Sequence, residues 1–181
     1  MSRLAIPDRD DVPEASKSIL DGVHKQLGVV PNMYRLIAQS PAALEGFTSN
    51  NRALARTLDV KTRERIALAV AQLNGCDYCL SAHSYLAVNL AKNSPEEVAL
   101  NRKGASGDPK ADAAVRFAVK VVRERGHVPD ADIKAVREAG FSDAQIVEIL
   151  AVSAENIFTN LLNVVAQTEI DFPVVHTSEA A

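Results

Sequence analysis

"DPKADAAVRFAVKVVRERG", residues 108–126, carries a full set of helix signals. Asp108 stands where an N-cap accepts from the unpaired N–H groups of a first turn, and Pro109 follows at the position where a missing N–H is no loss. Val115, Ala118, Val119 and Val122 recur at three- and four-residue steps as one apolar stripe, and Gly126 supplies a stop.

The same signals recur on either side. "NSPEEVAL" has a capping-box pattern from Ser94 to Glu97, and "SDAQIVEIL" repeats it from Ser142 to Gln145, opening a long helix that reaches about Gln167. "SPAALEGF" starts with Ser40 and Pro41. Further helices are predicted over about 14–27, 63–74, 76–91 and 130–139, with Gly28, Pro31, Gly104, Gly107 and Gly140 as breakers. No run alternates apolar and polar residues between turn signals. The chain is therefore predicted to be all-α, one helical bundle over 1–181, with its core at about 40–170 and an N-terminal extension over about 1–39.

Composition narrows the function classes. With 181 residues, 47% of them hydrophobic, the chain can fill one core but hardly two. A net charge of -3, with bases interspersed among acids, gives no field for nucleic acid. No stretch of about 18 consecutive apolar residues suggests a membrane span, and the start does not resemble a leader, so a cytoplasmic protein is expected. In a reducing compartment two neighbouring cysteines point to redox, catalytic or metal chemistry rather than a structural staple.

Both cysteines and one of the four histidines fall within "NGCDYCLSAH", residues 74–83. Asn74-Gly75 reads as a break between two helices, with Cys76 in the first turn of the second. At about 100° per residue, Cys76, Cys79 and His83 lie within an arc of roughly 60°. Cys79 and His83 are one turn apart, so the imidazole can take the thiol proton. Cys76 is close enough to condense with an oxidised Cys79, and a helix N-terminus with a cationic neighbour lowers thiol pKa values. Glu64, near the start of the preceding helix, is a fourth candidate; periodicity does not choose between it, Arg63 and Arg65 as the residue facing inward.

The spacing from Glu64 through Cys76 and Cys79 to His83 resembles the core motif of the alkylhydroperoxidase D (AhpD)-like branch of the carboxymuconolactone decarboxylase superfamily. "GVVPNMYRLIAQSPAALEGF" before it and "TEIDFP" near the end resemble that superfamily's peroxidase-related members. The resemblance implies an AhpD-like helical fold, oligomeric assembly and reduction of a hydroperoxide substrate. It also implies an external dithiol or protein reductant and no cofactor. On that pattern Cys79 attacks, Cys76 resolves, and His83 and Glu64 form the proton relay. The residue before the second cysteine, often histidine in such peroxidases, is Tyr78 here, a poor base at neutral pH.

Other readings of the same residues remain. The cysteines could be small buried packing residues, or zinc ligands with His83 and with Glu64 or water. The dithiol could serve a redox sensor without peroxide turnover, or the chain could be a decarboxylase acting on a lactone acid, which needs no paired thiols. Asn156, Asn160 and Asn163 form one polar stripe on the last helix, facing the site, an interface or solvent. His24, His127 and His176 stand alone and receive no role, and the five phenylalanines are assigned to core or interface. The last helix is apolar on more than one side, which predicts a homo-oligomer, a trimer or a hexamer.

Overall fold

The computed structural model describes residues 2–178. Among these there are nine α-helices and no strand. They are α1 (Glu14–Leu27), α2 (Asn32–Ile37), α3 (Pro41–Leu54), α4 (Val60–Leu73), α5 (Asp77–Asn89), α6 (Pro95–Arg102), α7 (Pro109–Arg123), α8 (Asp130–Glu138) and α9 (Asp143–Ala166).

The caps read from sequence form where expected. Ser40, Ser94 and Asp108 accept from the first turns of α3, α6 and α7, and Ser142 with Gln145 makes a reciprocal capping box. The expected partner of Ser94 does not close its box. Glu97 instead turns to Arg65, Ser106, Asn101 and the Gly107 N–H, because that half-buried cluster offers it a cation and three donors.

Helix α4 is the centre of the molecule, packed against α5, α6, α7 and α9. Six consecutive residues, Ile66 to Ala71, are buried, and three of them are alanines that let neighbouring helices approach closely. One apolar cluster joins α4 to α7, α8 and α9 through Ile66, Val115, Phe117, Val136 and Ile149. A second surrounds α5, and a third joins α1, α2 and α3. Burying each Leu or Ile contributes about 1.5–3 kcal/mol. Helix α9 is long and apolar enough to cross a bilayer, yet its packing against α3, α4, α5 and α7 makes it a core helix.

Helix α2 was not legible in the sequence. Its six residues are too few for a periodic stripe, and its cap comes from far away: Asp171 Oδ2 accepts the Asn32 N–H at 2.7 Å. The N-terminal stretch is also more than an appendage, since α1 and α2 pack onto α3 and wall the cavity described next.

Candidate active site

The α4–α5 turn positions the site. Helix α4 ends at Leu73, Gly75 adopts φ +69°, and the N–H groups of Gly75 and Cys76 return to the carbonyls of Gln72 and Ala71. That pairing needs a left-handed residue at its middle, which glycine accepts without strain. Cys76 is thereby the N-cap of α5 rather than a residue of its first turn: its sulfur accepts the Cys79 N–H at 3.3 Å. Cys79 lines a cavity of about 200 Å³ with His83, whereas Cys76 is not among the lining residues. Both thiols are free and buried.

Glu64, not Arg63 or Arg65, pairs with the imidazole. Its side chain is largely buried, and Oε2 stands 2.8 Å from His83 Nδ1. Against an ionised carboxylate, which can only accept, the imidazole donates from Nδ1 and Nε2 takes no part in the contact. Burial disfavours the charged imidazole, but the charge of Glu64 and its hydrogen bond outweigh this and raise the His83 pKa. Arg65 turns away to Glu97, and Arg63 Nε donates to the Leu58 carbonyl.

The two thiols are driven apart. The hydrogen bond from Cys76 is the largest influence on Cys79. Burial opposes it, and the charge of His83 with the Asn163 and Asn160 amides adds to it, bringing the Cys79 pKa down to about 6. The same bond, together with burial, pushes the Cys76 thiol far up. Of the two, Cys79 is thus the more readily ionised and Cys76 the more firmly protonated.

All three asparagines of the α9 stripe face inward. Asn163 Nδ2 donates to Cys79 Sγ at 3.3 Å, Asn160 Oδ1 accepts from Asn74 at 2.9 Å, and Asn156 lines the cavity. Tyr78 lines it as well, but its hydroxyl is engaged. It donates to Asp171 Oδ1 at 2.8 Å and accepts the Met33 N–H at 3.1 Å, and burial raises its pKa. His176, given no role from sequence, binds Asp77 at 2.8 Å and helps hold residues 168–178 along α5. Among the described residues, no group of three or more His, Cys, Asp or Glu is arranged to hold a metal ion.

The sequence reading missed Glu155, a second acid on the cavity wall, which accepts from Asn51 at 2.7 Å and from Asn50. Its only local sign is its place beside Asn156. Tyr34 was also missed; burial and the charges of Glu155 and Glu64 push its pKa up to about 12.

The carboxymuconolactone decarboxylase family model matches residues 39–120, the span that contains Glu64, Cys76, Cys79 and His83. A search of curated proteins gave no match. Among solved structures, the chain is similar to the AhpD core of an uncharacterized peroxidase-related protein from Ralstonia eutropha JMP134. The TM-score is 0.83 at 28% identity, covering 94% of this chain and 92% of that one. It is also similar to an uncharacterized peroxidase-related protein from Silicibacter sp. TM1040, with TM-score 0.81, 26% identity and coverage of 93% and 91%. A Cys-to-Ala variant of the debrominase Bmp8 in complex with 2,3,4-tribromopyrrole shares the fold, with TM-score 0.79, 20% identity and 94% of each chain covered. The motif span thus matches the carboxymuconolactone decarboxylase family model, and the whole helical arrangement is that of the AhpD-core, peroxidase-related structures.

Proposed function

We propose that this protein is a thiol-dependent peroxidase working through a Cys76–Cys79 dithiol/disulfide cycle. The observation that carries this reading is the asymmetry of the pair: the low-pKa thiol, Cys79, faces the cavity, and the protonated one, Cys76, lies behind it. The Cys79 thiolate attacks the terminal oxygen of the hydroperoxide, the O–O bond breaks, and the alkoxide leaves with its electron pair. Cys79 becomes a sulfenic acid. Cys76 then attacks that sulfur, forming the disulfide, and its thiol proton leaves with the hydroxide as water. A dithiol or protein reductant restores the pair. His83 takes the Cys79 proton and remains as the imidazolium beside the thiolate, oriented and supported by Glu64.

The test is mass spectrometry of the reduced protein after one equivalent of hydroperoxide. The intact chain should lose two hydrogens, and Cys76→Ser should gain one oxygen at Cys79. An unchanged mass in both would refute the reading.

Assembly from several copies is part of the same proposal. Val147, Leu150, Ala154, Phe158, Leu161 and Val165 are exposed on α9 within an arc of roughly 80°, a seam with no charge on it. An uncharged heptad-like seam suits an equally apolar partner, and a second copy of this chain supplies one.

A further inference from the structure

The reduction of a hydroperoxide at Cys79 needs two protons to be in the right places. One must leave the thiol, and another must reach the departing alkoxide oxygen. The His83–Glu64 pair accounts for the first. Using the same imidazolium for the second would discharge the cation that stabilises the thiolate in the course of its attack.

Glu155 stands where a separate acid would be useful. It shares the cavity wall with Cys79 and His83. It lies eight residues before Asn163, the α9 residue that binds the Cys79 sulfur, so the two positions are about 12 Å apart along the helix axis. The acid thus borders the same cavity as the sulfur but from a different turn of α9 than the residue that binds the sulfur. Its two oxygens each accept one amide hydrogen, from Asn51 and Asn50, which fixes the carboxyl group and leaves each oxygen a second lone pair for a proton. The titratable groups around it in the same cavity are Arg63 and Glu64 of α4, Tyr78, Cys79 and His83 of α5 and Tyr34 of α2.

On the basis of the peroxidase reading above, we propose that the Glu155 carboxyl donates the proton to the alkoxide oxygen of an organic hydroperoxide as Cys79 cleaves the O–O bond. The thiolate sulfur bonds to the terminal oxygen and is oxidised by two electrons. The O–O bond breaks, the peroxide is reduced by two electrons, and the alcohol leaves neutral. Glu155 is left as a carboxylate and regains its proton from solvent. Burial keeps the proton on this carboxyl to higher pH than usual, although the Asn51 and Asn50 bonds and the charges of Arg63 and His83 pull the other way.

The test separates leaving groups that need a proton from those that do not. Rapid-mixing rates of Cys79 oxidation are measured in a Cys76→Ser background, with and without Glu155→Gln. The reagents are cumene hydroperoxide, which leaves as a basic alkoxide, and peracetic acid, which leaves as stable acetate; iodoacetamide, which leaves as iodide, is the third. Glu155→Gln should slow cumene hydroperoxide about a hundredfold, the lower end of what general acid catalysis supplies, and leave peracetic acid and iodoacetamide within about twofold. Glu155→Asp, which keeps the acid, should recover part of the loss. Equal slowing of all three reagents in both variants would mean that Glu155 only supports the cavity, and no slowing of cumene hydroperoxide would remove it from the reaction; either result overturns the inference. If the parent protein reacts with neither peroxide faster than a free thiolate, the peroxidase reading itself falls, and the inference with it.

Discussion

The backbone N–H of Cys79 donates to the sulfur of Cys76 at 3.3 Å, so the residue that caps α5 is also the neighbour of the thiol held in its first turns. The cap fixes the Cys76 sulfur next to Cys79 before any oxidation takes place. The Cys76 thiol can then donate to the Cys79 thiolate, which lowers one pKa and raises the other. On the proposed peroxidase reading, this asymmetry suits attack by the second cysteine and resolution by the first.

Iodoacetamide alkylation of Cys79 should reach half its maximal rate at about pH 6. The thiolate is the nucleophile, so the rate should fall about tenfold per unit below that point and level off above it. Cys76→Ser keeps a donor and should leave the midpoint close to its original place, whereas Cys76→Ala should raise it. A midpoint near the free-thiol value of about 8.5 in the intact protein would exclude an activated Cys79.

Glu64→Gln should slow the same alkylation at pH 6 and move its midpoint upward. The amide keeps the shape of the side chain but removes the charge that supports the His83 imidazolium. The protein should remain folded by circular dichroism. Superimposable pH profiles would place Glu64 outside the relay.

Asn163→Ala should move the Cys79 midpoint upward by about one to two units, since a hydrogen bond to an ionised group contributes about 1.5–3 kcal/mol. The buried site should also lose about 1–3 kcal/mol of stability in urea titration. A stability loss with no change of midpoint would make this residue purely structural.

Tyr78→Phe separates clamp from relay. Its hydroxyl joins the Met33 N–H of α2 to Asp171 of the C-terminal segment, so its removal leaves a donor and an acceptor unpaired. The expected cost is about 1–3 kcal/mol of stability with the Cys79 alkylation profile unchanged. A shifted profile would return the tyrosine to the proton relay.

Static light scattering should give a mass that is a multiple of 19.4 kDa, and Leu161→Glu should reduce it to the single-chain value. A charge in an apolar seam stays unpaired on association, and its desolvation opposes contact. A parent protein already at 19.4 kDa at micromolar concentration would show that the α9 seam is not a contact between copies.

The features legible in the sequence were those set by short-range interactions. A cap bonds to residues two or three positions on, a left-handed glycine closes the turn it terminates, and Cys79 meets His83 across one turn of helix. These gave the all-α class, the break at Gly75 and the placing of Cys79 one turn from His83. The remaining features depend on partners distant in the chain. Nothing near Glu64 distinguishes it from Arg63 or Arg65; it faces inward because α4 is buried nearly all round and α5 presents His83 to that side. Asn163 meets Cys79 across a separation of 84 residues, Glu155 meets Asn50 across 105, and Asp171 caps α2 across 139. The placement of Cys76 behind the cavity follows from the same cause, because the packing of α1, α2, α5 and α9 decides which sulfur borders the open space. Local hydrogen bonding thus set the helices and the order of the candidate residues along them, and only close packing of distant helices decided which of their atoms meet.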